Sequence, residues 1–458
     1  MKTYQDLIEA ARGGKLPEFI IAAINDHKAG EDYRTAVDAE EYAKQRNVTI
    51  TRYRKLLYDL QGNAVPDNWT ANHKCASNFF NRFVTQQASY LLGNGATFED
   101  TAVKDKLGKN FDTSLRKAGK SALIQGVCFG FYNLDHVKIF KLTEFVPLYD
   151  EENGSLRAGI RFWQIDDTKP LRATLYEEDG YTDFIKPKGE SKLQERAEKR
   201  AYKQKVVYTA ADGEEIFDGE NYPAFPIVPL WANDAHQSEL VGLRENIDCY
   251  DLIKSGFAND LDDASMIYWT LENAGGMTDL DLAKFIERMK TIRAAVVDGD
   301  DGARATAHTL DVPYQSRETY LKLLRDDMYD DAMALNTAQI SAGNITATQI
   351  ESAYEPLNAK TDEFEMHVLD FIEGILAVAG IEDQTVTFTR SQIVNREEEV
   401  TILTAAGDYL DDEYITERIL TILGDGDKFD EIQKRKIENE ATRFGGDNNE
   451  NEEGADEI

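Results

Sequence analysis

Apolar positions recur every three or four residues in "YQDLIEAARG", in "PEFIIAAINDHKAGEDYRTAVDAEEYAKQRN" and in "NFFNRFVTQQASYLLGNG", which predicts a mainly helical first 125 residues. The "GNG" at 93–95 stops the last of these helices. From "GVCFGFYNLDHVKIFKLTEFVPLYD" to "FPIVPLW" the pattern changes to short β-branched and aromatic runs punctuated by Gly, Asp-Gly and Pro, which predicts a β-rich region with hairpins. Helix returns after Trp231. In "SELVGLRENIDCYDLIKSGFANDLDDAS" the apolar positions 240, 243, 247, 250, 253, 257, 261 and 264 form one stripe that runs the length of a helix of about 26 residues and roughly 39 Å.

A compact insertion follows at 266–312: a strand-like "MIYWTLENAGG", a short amphipathic helix in "TDLDLAKFIERMKTI", then "RAAVVDGDDGARATAHTLDVP". "PYQSRETYLKLLRDDMYDDAMAL" resumes a helix with apolar positions 320, 324, 328, 332 and 335, and the polar "NTAQISAGNITATQ" breaks it. The next helix is predicted over about 347–379 with a kink at Pro356, and "QTVTFTR" reads as a strand. Two or three more helices, joined at "GDYLDDEY" and "GDGDKFD", complete an α+β chain. The final 447–458 carry six acids and no bases, which predicts disorder.

A chain of 458 residues is too long for one ordinary core and is expected to form several substructures. Cys75, Cys128 and Cys249 are odd in number and far apart, so neither a disulfide framework nor a zinc site is indicated. The opening "MKTYQDLIEAARGGKLPEF" lacks the pattern of a signal peptide, and no segment holds eighteen apolar residues in a row, which predicts a soluble chain with no membrane partner. The formal net charge is −33, from 51 Lys and Arg against 84 Asp and Glu. That excess argues against tight nucleic-acid binding, but it permits a conduit, because a surface past which DNA must slide is better without adhesive phosphate contacts.

Catalytic motifs are absent. There is no GxxxxGK[ST] phosphate loop, no HExxH and no GxSxG, and the six histidines are scattered. "DGDDGARATAHTL" and "GDGDKFDEI" lack the ligand spacing of calcium loops and read as acidic turns. No cofactor is implied. Asp260, Asp262 and Asp263 fall within four positions just before an apolar run. On a helix, however, Asp260 and Asp263 stand about 60° apart and Asp262 about 160° from Asp260, so one helix cannot converge the three on a metal. The acid pairs Asp326/Asp327 and Asp330/Asp331 read as exposed helix faces, with two-metal phosphodiester chemistry as the competing reading.

Five phrases in fixed order carry a family resemblance: "NFFNRFVTQQASYLLGNG" (78–95), "ALIQGVCFGFYNLD…FVPLYD" (122–150), "LVGLRENIDCYDLIKSGFANDLDDAS" (241–265), "ITATQIESAYEPLNAKTDEFEMHVLDFIEGIL" (345–376) and "VTFTRSQIVNREEEV" (386–400). The chain resembles the portal proteins of tailed bacteriophages, of the siphophage type of Gram-positive hosts. The resemblance implies a helical/β wing at 1–236 and 348–396, stem helices at 237–265 and 313–335, a small α/β clip at 266–312, a channel loop at 336–347, a helical crown at 397–444 and an acidic tail at 445–458. Asn336, Thr337, Gln339, Ser341, Gly343, Asn344 and Thr346 would then face DNA, and Tyr268, Trp269, Phe285 and Ile286 would form the clip interface. Asp260, Asp262 and Asp263 would end the first stem helix, without catalytic work.

The function implied is a ring of about twelve subunits at one capsid vertex, a conduit for packaging and ejecting double-stranded DNA, assembled in the host cytoplasm. Its partners would be the terminase large subunit, a head-completion or adaptor protein, a scaffold protein and the major capsid protein. Two alternatives are a metal-dependent nuclease or phosphodiesterase built on the clustered carboxylates, and a virion structural protein that never encloses DNA.

Overall fold

The computed structural model describes residues 2–58, 62–67, 71–100, 102–190, 192–209, 215–264, 268–272, 278, 280, 283–284, 287, 304–308, 313–340, 347–391, 396–424, 426–429 and 431–436. Its helices are α1 (Tyr4–Arg12), α2 (Leu16–Ala29), α3 (Glu31–Ala43), α4 (Val48–Arg52), α5 (Phe79–Leu92), α6 (Ala102–Leu107), α7 (Phe111–Gln125), α8 (Arg244–Ala264), α9 (Tyr314–Asp331), α10 (Thr337–Ile340), α11 (Ala347–Ala379), α12 (Arg396–Ala405) and α13 (Asp412–Leu423). The strands are β1 (Leu56–Tyr58), β2 (Ala64–Pro66), β3 (Ala96–Phe98), β4 (Val127–Asn133), β5 (His136–Lys141), β6 (Phe145–Tyr149), β7 (Leu156–Trp163), β8 (Leu171–Glu177), β9 (Gly180–Lys186), β10 (Gln194–Arg200), β11 (Lys203–Thr209), β12 (Glu215–Glu220), β13 (Ile227–Trp231), β14 (Tyr268–Glu272), β15 (Arg304–His308) and β16 (Val386–Phe388). The chain divides into two units, Met1–Ala334 with Pro356–Ser391, and Leu335–Glu355 with Gln392–Ile458.

The first unit holds two cores. Strands β6 to β10 form an antiparallel meander. Alternation puts Val146, Leu148, Ile160, Phe162 and Leu175 on one face, which α1 and α2 cover with Leu7, Ile20 and Ile24. Thr3 starts α1 with a capping box: its hydroxyl accepts from the Asp6 amide at 3.3 Å, and the Asp6 carboxylate accepts from the Thr3 amide at 3.2 Å. His27 is a buried core histidine, its Nε2 2.8 Å from the Leu142 carbonyl, and burial pushes its pKa down.

The larger core joins α3, α5 and α7 to the sheet β13-β4-β5 and to the later turns of α11. Phe364, Phe371, Ile372 and Ile375 of α11 are fully buried there. Gly130 on the central strand makes this seating possible, because a Cβ at that position would lie 2.4 Å from the Phe371 ring. The strand expected in "QTVTFTR" forms as β16 and pairs antiparallel with β3.

Three expectations change. The helix read from position 240 begins at Arg244, because Gly242 sits at φ 88° and turns the chain, so Leu240 and Leu243 are buried in that turn. The mainly helical first 125 residues also hold short strands, β1 to β3. The segment 336–347, read as a plain loop, contains the four-residue helix α10.

In the second unit, α12 and α13 are joined by a short 3-10 turn, Ala406–Asp408. Asp411 caps α13 by accepting from the Glu413 amide, and Gly424 ends it at φ 87°. The acidic 447–458 lie outside the described residues. Among the described residues no helix is long and apolar enough to cross a membrane.

Candidate functional site

Helix α8 is held by its polar residues. Asp251, Ser255 and Asn259 recur every fourth position and are buried, at 0%, 3% and 8% exposure. Each accepts from a backbone amide of the extended segment 71–78: Ser77 to Asp251 at 2.9 Å, Cys75 to Ser255 at 2.9 Å and His73 to Asn259 at 2.7 Å. The register persists because four residues of helix rise about 6 Å while two residues of extended chain advance about 6.6 Å. The segment thus lies antiparallel along α8 like a strand whose partner is a ladder of side chains.

The N-terminal half of α8 is fixed by further bonds. Asn47 donates to the Asp251 carboxylate and, at 3.1 Å, to the Ser77 carbonyl. Asp248 accepts from Tyr42 at 2.5 Å and from Thr49 at 2.6 Å, and Arg244 pairs with Asp38 at 3.0 Å. Burial pushes the Tyr42 hydroxyl up to about 12, with its bond to Asp248 adding to the rise. Burial also raises the Asp251 carboxyl above its usual range, against the lowering effect of its bonds to Asn47 and Ser77.

Helix α9 packs on α8. Asn246 donates to Asp331 at 2.9 Å, and Arg317 pairs with Asp260 while its guanidinium lies 5.8 Å from the Phe257 ring centre. Leu324, Met328 and Tyr329 are buried. Among the described residues, the apolar stripe of α8 is buried at Ile247 and half-buried at Tyr250, Ile253 and Phe257, and Leu261 is 52% exposed. On α9, Tyr314, Tyr320 and Leu323 are exposed by 56%, 43% and 53%. The polar ladder occupies one buried face of α8, and Leu261, Tyr314, Tyr320 and Leu323 of the pair are left outward.

The three aspartates diverge. Asp260 meets Arg317, and Asp262 meets His73 Nε2 at 2.5 Å; Asp263 lies in the last turn of α8. Of the acid pairs on α9, Asp326 lies against its neighbour Arg325 at 3.1 Å and Asp331 accepts from Asn246. The Arg317–Asp260 pair is partly exposed, so Asp260→Ala is expected to cost about 1 kcal/mol or less and to move the thermal melt by no more than about 2 °C. Differential scanning fluorimetry checks this; a larger shift would make the pair a structural keystone.

Tyr268 and Trp269 begin β14, which pairs antiparallel with β15 in the register Tyr268 to His308 and Trp269 to Ala307. Phe285 and Ile286 lie outside the described residues, as do Ser341, Gly343, Asn344 and Thr346. Thr337 and Gln339 lie in α10. Asn336, expected to face DNA, is 8% exposed, and its side-chain Oδ1 accepts from the Ala338 amide at 3.2 Å, a turn-forming bond at the start of that helix.

Sequence reasoning missed the ladder, although the spacing of Asp251, Ser255 and Asn259 was available as a signal. It also missed a group formed by Asp234 with Glu363 and His367, whose candidate ligand atoms lie within 4.8 Å of one another. There Asp234 is already engaged: its amide donates to Glu363 at 2.8 Å and its carboxylate lies 3.1 Å from His367 Nε2.

Comparison with known proteins decides the class. The phage portal protein family of the SPP1 Gp6-like type matches residues 39–442. The chain belongs to this family. It is 26% identical over 370 residues to the portal protein of Clostridium phage phiCD119, covering 73% of this chain and 78% of that protein. It is 23% identical over 378 residues to the portal protein of Bacillus phage SPP1, covering 76% and 73%. The portal family is a structural, non-enzymatic part of the virion, so the nuclease reading of the clustered acids is set aside.

Proposed function

We propose that this portal-family chain assembles into a closed ring of about twelve subunits at one capsid vertex, through which double-stranded DNA is packaged and ejected. In this reading α8 and α9 are the stem helices, the β14–β15 segment belongs to the clip, residues 336–347 form the channel loop and α12 and α13 form the crown. The ring also serves as the docking platform for the terminase large subunit, the head-completion protein, the scaffold and the major capsid protein, and it is built in the host cytoplasm. The observation that carries the ring is the set of apolar residues left outward on one helix pair, Leu261, Tyr314, Tyr320 and Leu323. Several large apolar side chains grouped on one helix pair suit a protein interface.

Light scattering on the purified protein, with end-on negative-stain images, tests the proposal. Rings of ten or more subunits are expected; a monomer, or a symmetry that leaves no central channel, would overturn it. Within such a ring, Gln339→Lys with Asn344→Lys adds about two positive charges per subunit at the channel loop, and DNA movement should become slower and more salt-dependent through added phosphate contacts. DNA packaged per procapsid across a salt series is the measurement, and curves indistinguishable from wild type would remove this loop from the DNA path.

A further inference from the structure

A concave pocket of about 430 Å³ opens between α3, α7 and β5, lined by no residue of α8 or α9. Its walls carry Lys44, Lys117, Lys120 and Lys141, and its floor is apolar, with Ile124 and Ile139 half-buried. Glu40 is the single acid in the lining. In a chain of net charge −33, four lysines around one cavity run against the general balance.

The lysines are unevenly engaged. Lys141 holds Glu40 at 2.8 Å, and Lys44 holds Glu41 at 3.0 Å and Glu40 at 3.7 Å. Among the described residues Lys120 donates to two neutral oxygens, Asn81 Oδ1 at 2.9 Å and Thr85 Oγ1 at 2.8 Å. Among the described residues Lys117 has no ionic partner. Partial burial pulls the Lys120 pKa down, so a carboxylate placed beside it would be welcomed by a poorly solvated cation. Ser121 also lines the cavity, and its buried hydroxyl has no hydrogen-bond partner among the described residues.

We infer that this pocket is a docking site for an acidic peptide segment of another protein, one that inserts an aliphatic or aromatic side chain on the Ile124–Ile139 floor and sets flanking carboxylates against Lys117 and Lys120. Charge complementarity and the shape of the cavity select this occupant. A duplex presents its phosphates on a stiff convex backbone and has nothing to place on an apolar floor, and a small anion would leave that floor uncovered. A peptide satisfies both parts, with one anchored side chain and charges at the rim.

The test pans a random heptapeptide library on the immobilised full-length protein and, in parallel, on the Lys117→Glu/Lys120→Glu variant. Peptides enriched on the wild type alone are expected to hold at least three Asp or Glu around one large apolar residue. The best of them, made synthetically, should bind the variant at least tenfold more weakly and should weaken as salt is raised. Lys44→Glu, on a different element, should weaken it in the same direction, and circular dichroism melts confirm that both variants are folded. Enrichment without acids, no enrichment over the variant, or equal affinity for both proteins would overturn the inference. Displacement of the peptide by duplex DNA at equal charge concentration would instead assign the lysines to phosphate.

Discussion

Leu261→Asp combined with Leu323→Asp is expected to leave the subunit folded and to abolish ring assembly. Both side chains are more than half exposed in the subunit, at 52% and 53%, so charging them should alter folding stability by only about 0.5 kcal/mol each. In a ring the same positions would be covered, and burying a leucine side chain contributes about 1.5–3 kcal/mol that a carboxylate forfeits, besides the cost of desolvating it. The loss is repeated at every interface of a closed ring, so assembly should fail as a whole. Light scattering would then report monomers, with a melting temperature within a few degrees of wild type. Ile165→Asp, at a position 82% exposed in the β7–β8 turn, is the control and should assemble normally. Rings of wild-type mass from the double variant would show that this helix pair is not an interface.

Asp251→Ala should release the 71–78 segment from α8. It leaves the Ser77 amide without its acceptor in a buried place and takes one of the two acceptors of the Asn47 side chain, at a cost of about 2–4 kcal/mol, or roughly a 30- to 1,000-fold rise in local amide exchange. Hydrogen exchange of peptides covering 73–77 is the measurement, and unchanged protection would mean that Ser255 and Asn259 hold the segment alone. Asp251→Asn keeps one acceptor and should cost less. It also isolates a pH effect. Because the folded-state pKa of Asp251 is raised, the native chain binds this proton more tightly than the unfolded chain does. Its contribution is therefore fully present below the ordinary carboxylate pKa and is lost as pH rises through the raised value. Wild-type stability relative to Asp251→Asn should fall over that window and be flat above it.

The order of helix, hairpin-rich sheet and helix was legible in the chain because periods of two and of three to four are local properties, set by the elements' own geometry. So was the divergence of Asp260 and Asp262, since angles on a helix follow from spacing alone, and the two indeed meet different partners, Arg317 and His73. Five weak phrases in order also sufficed for the family, which the match over 39–442 shows. Periodicity could not tell which stripe of α8 faces inward. An apolar stripe names the inner face by default, but an extended segment laid along a helix brings backbone amides that must find acceptors, and Asp251, Ser255 and Asn259 supply them at the matching rise. That pairing joins residues more than 170 positions apart, as the lysine pocket joins Lys44, Lys117 and Lys141. Such contacts depend on how α3, α7 and β5 pack, and on α8 Leu261 stays 52% exposed while Asp251, Ser255 and Asn259 are buried to answer the hydrogen-bond demand of a distant segment.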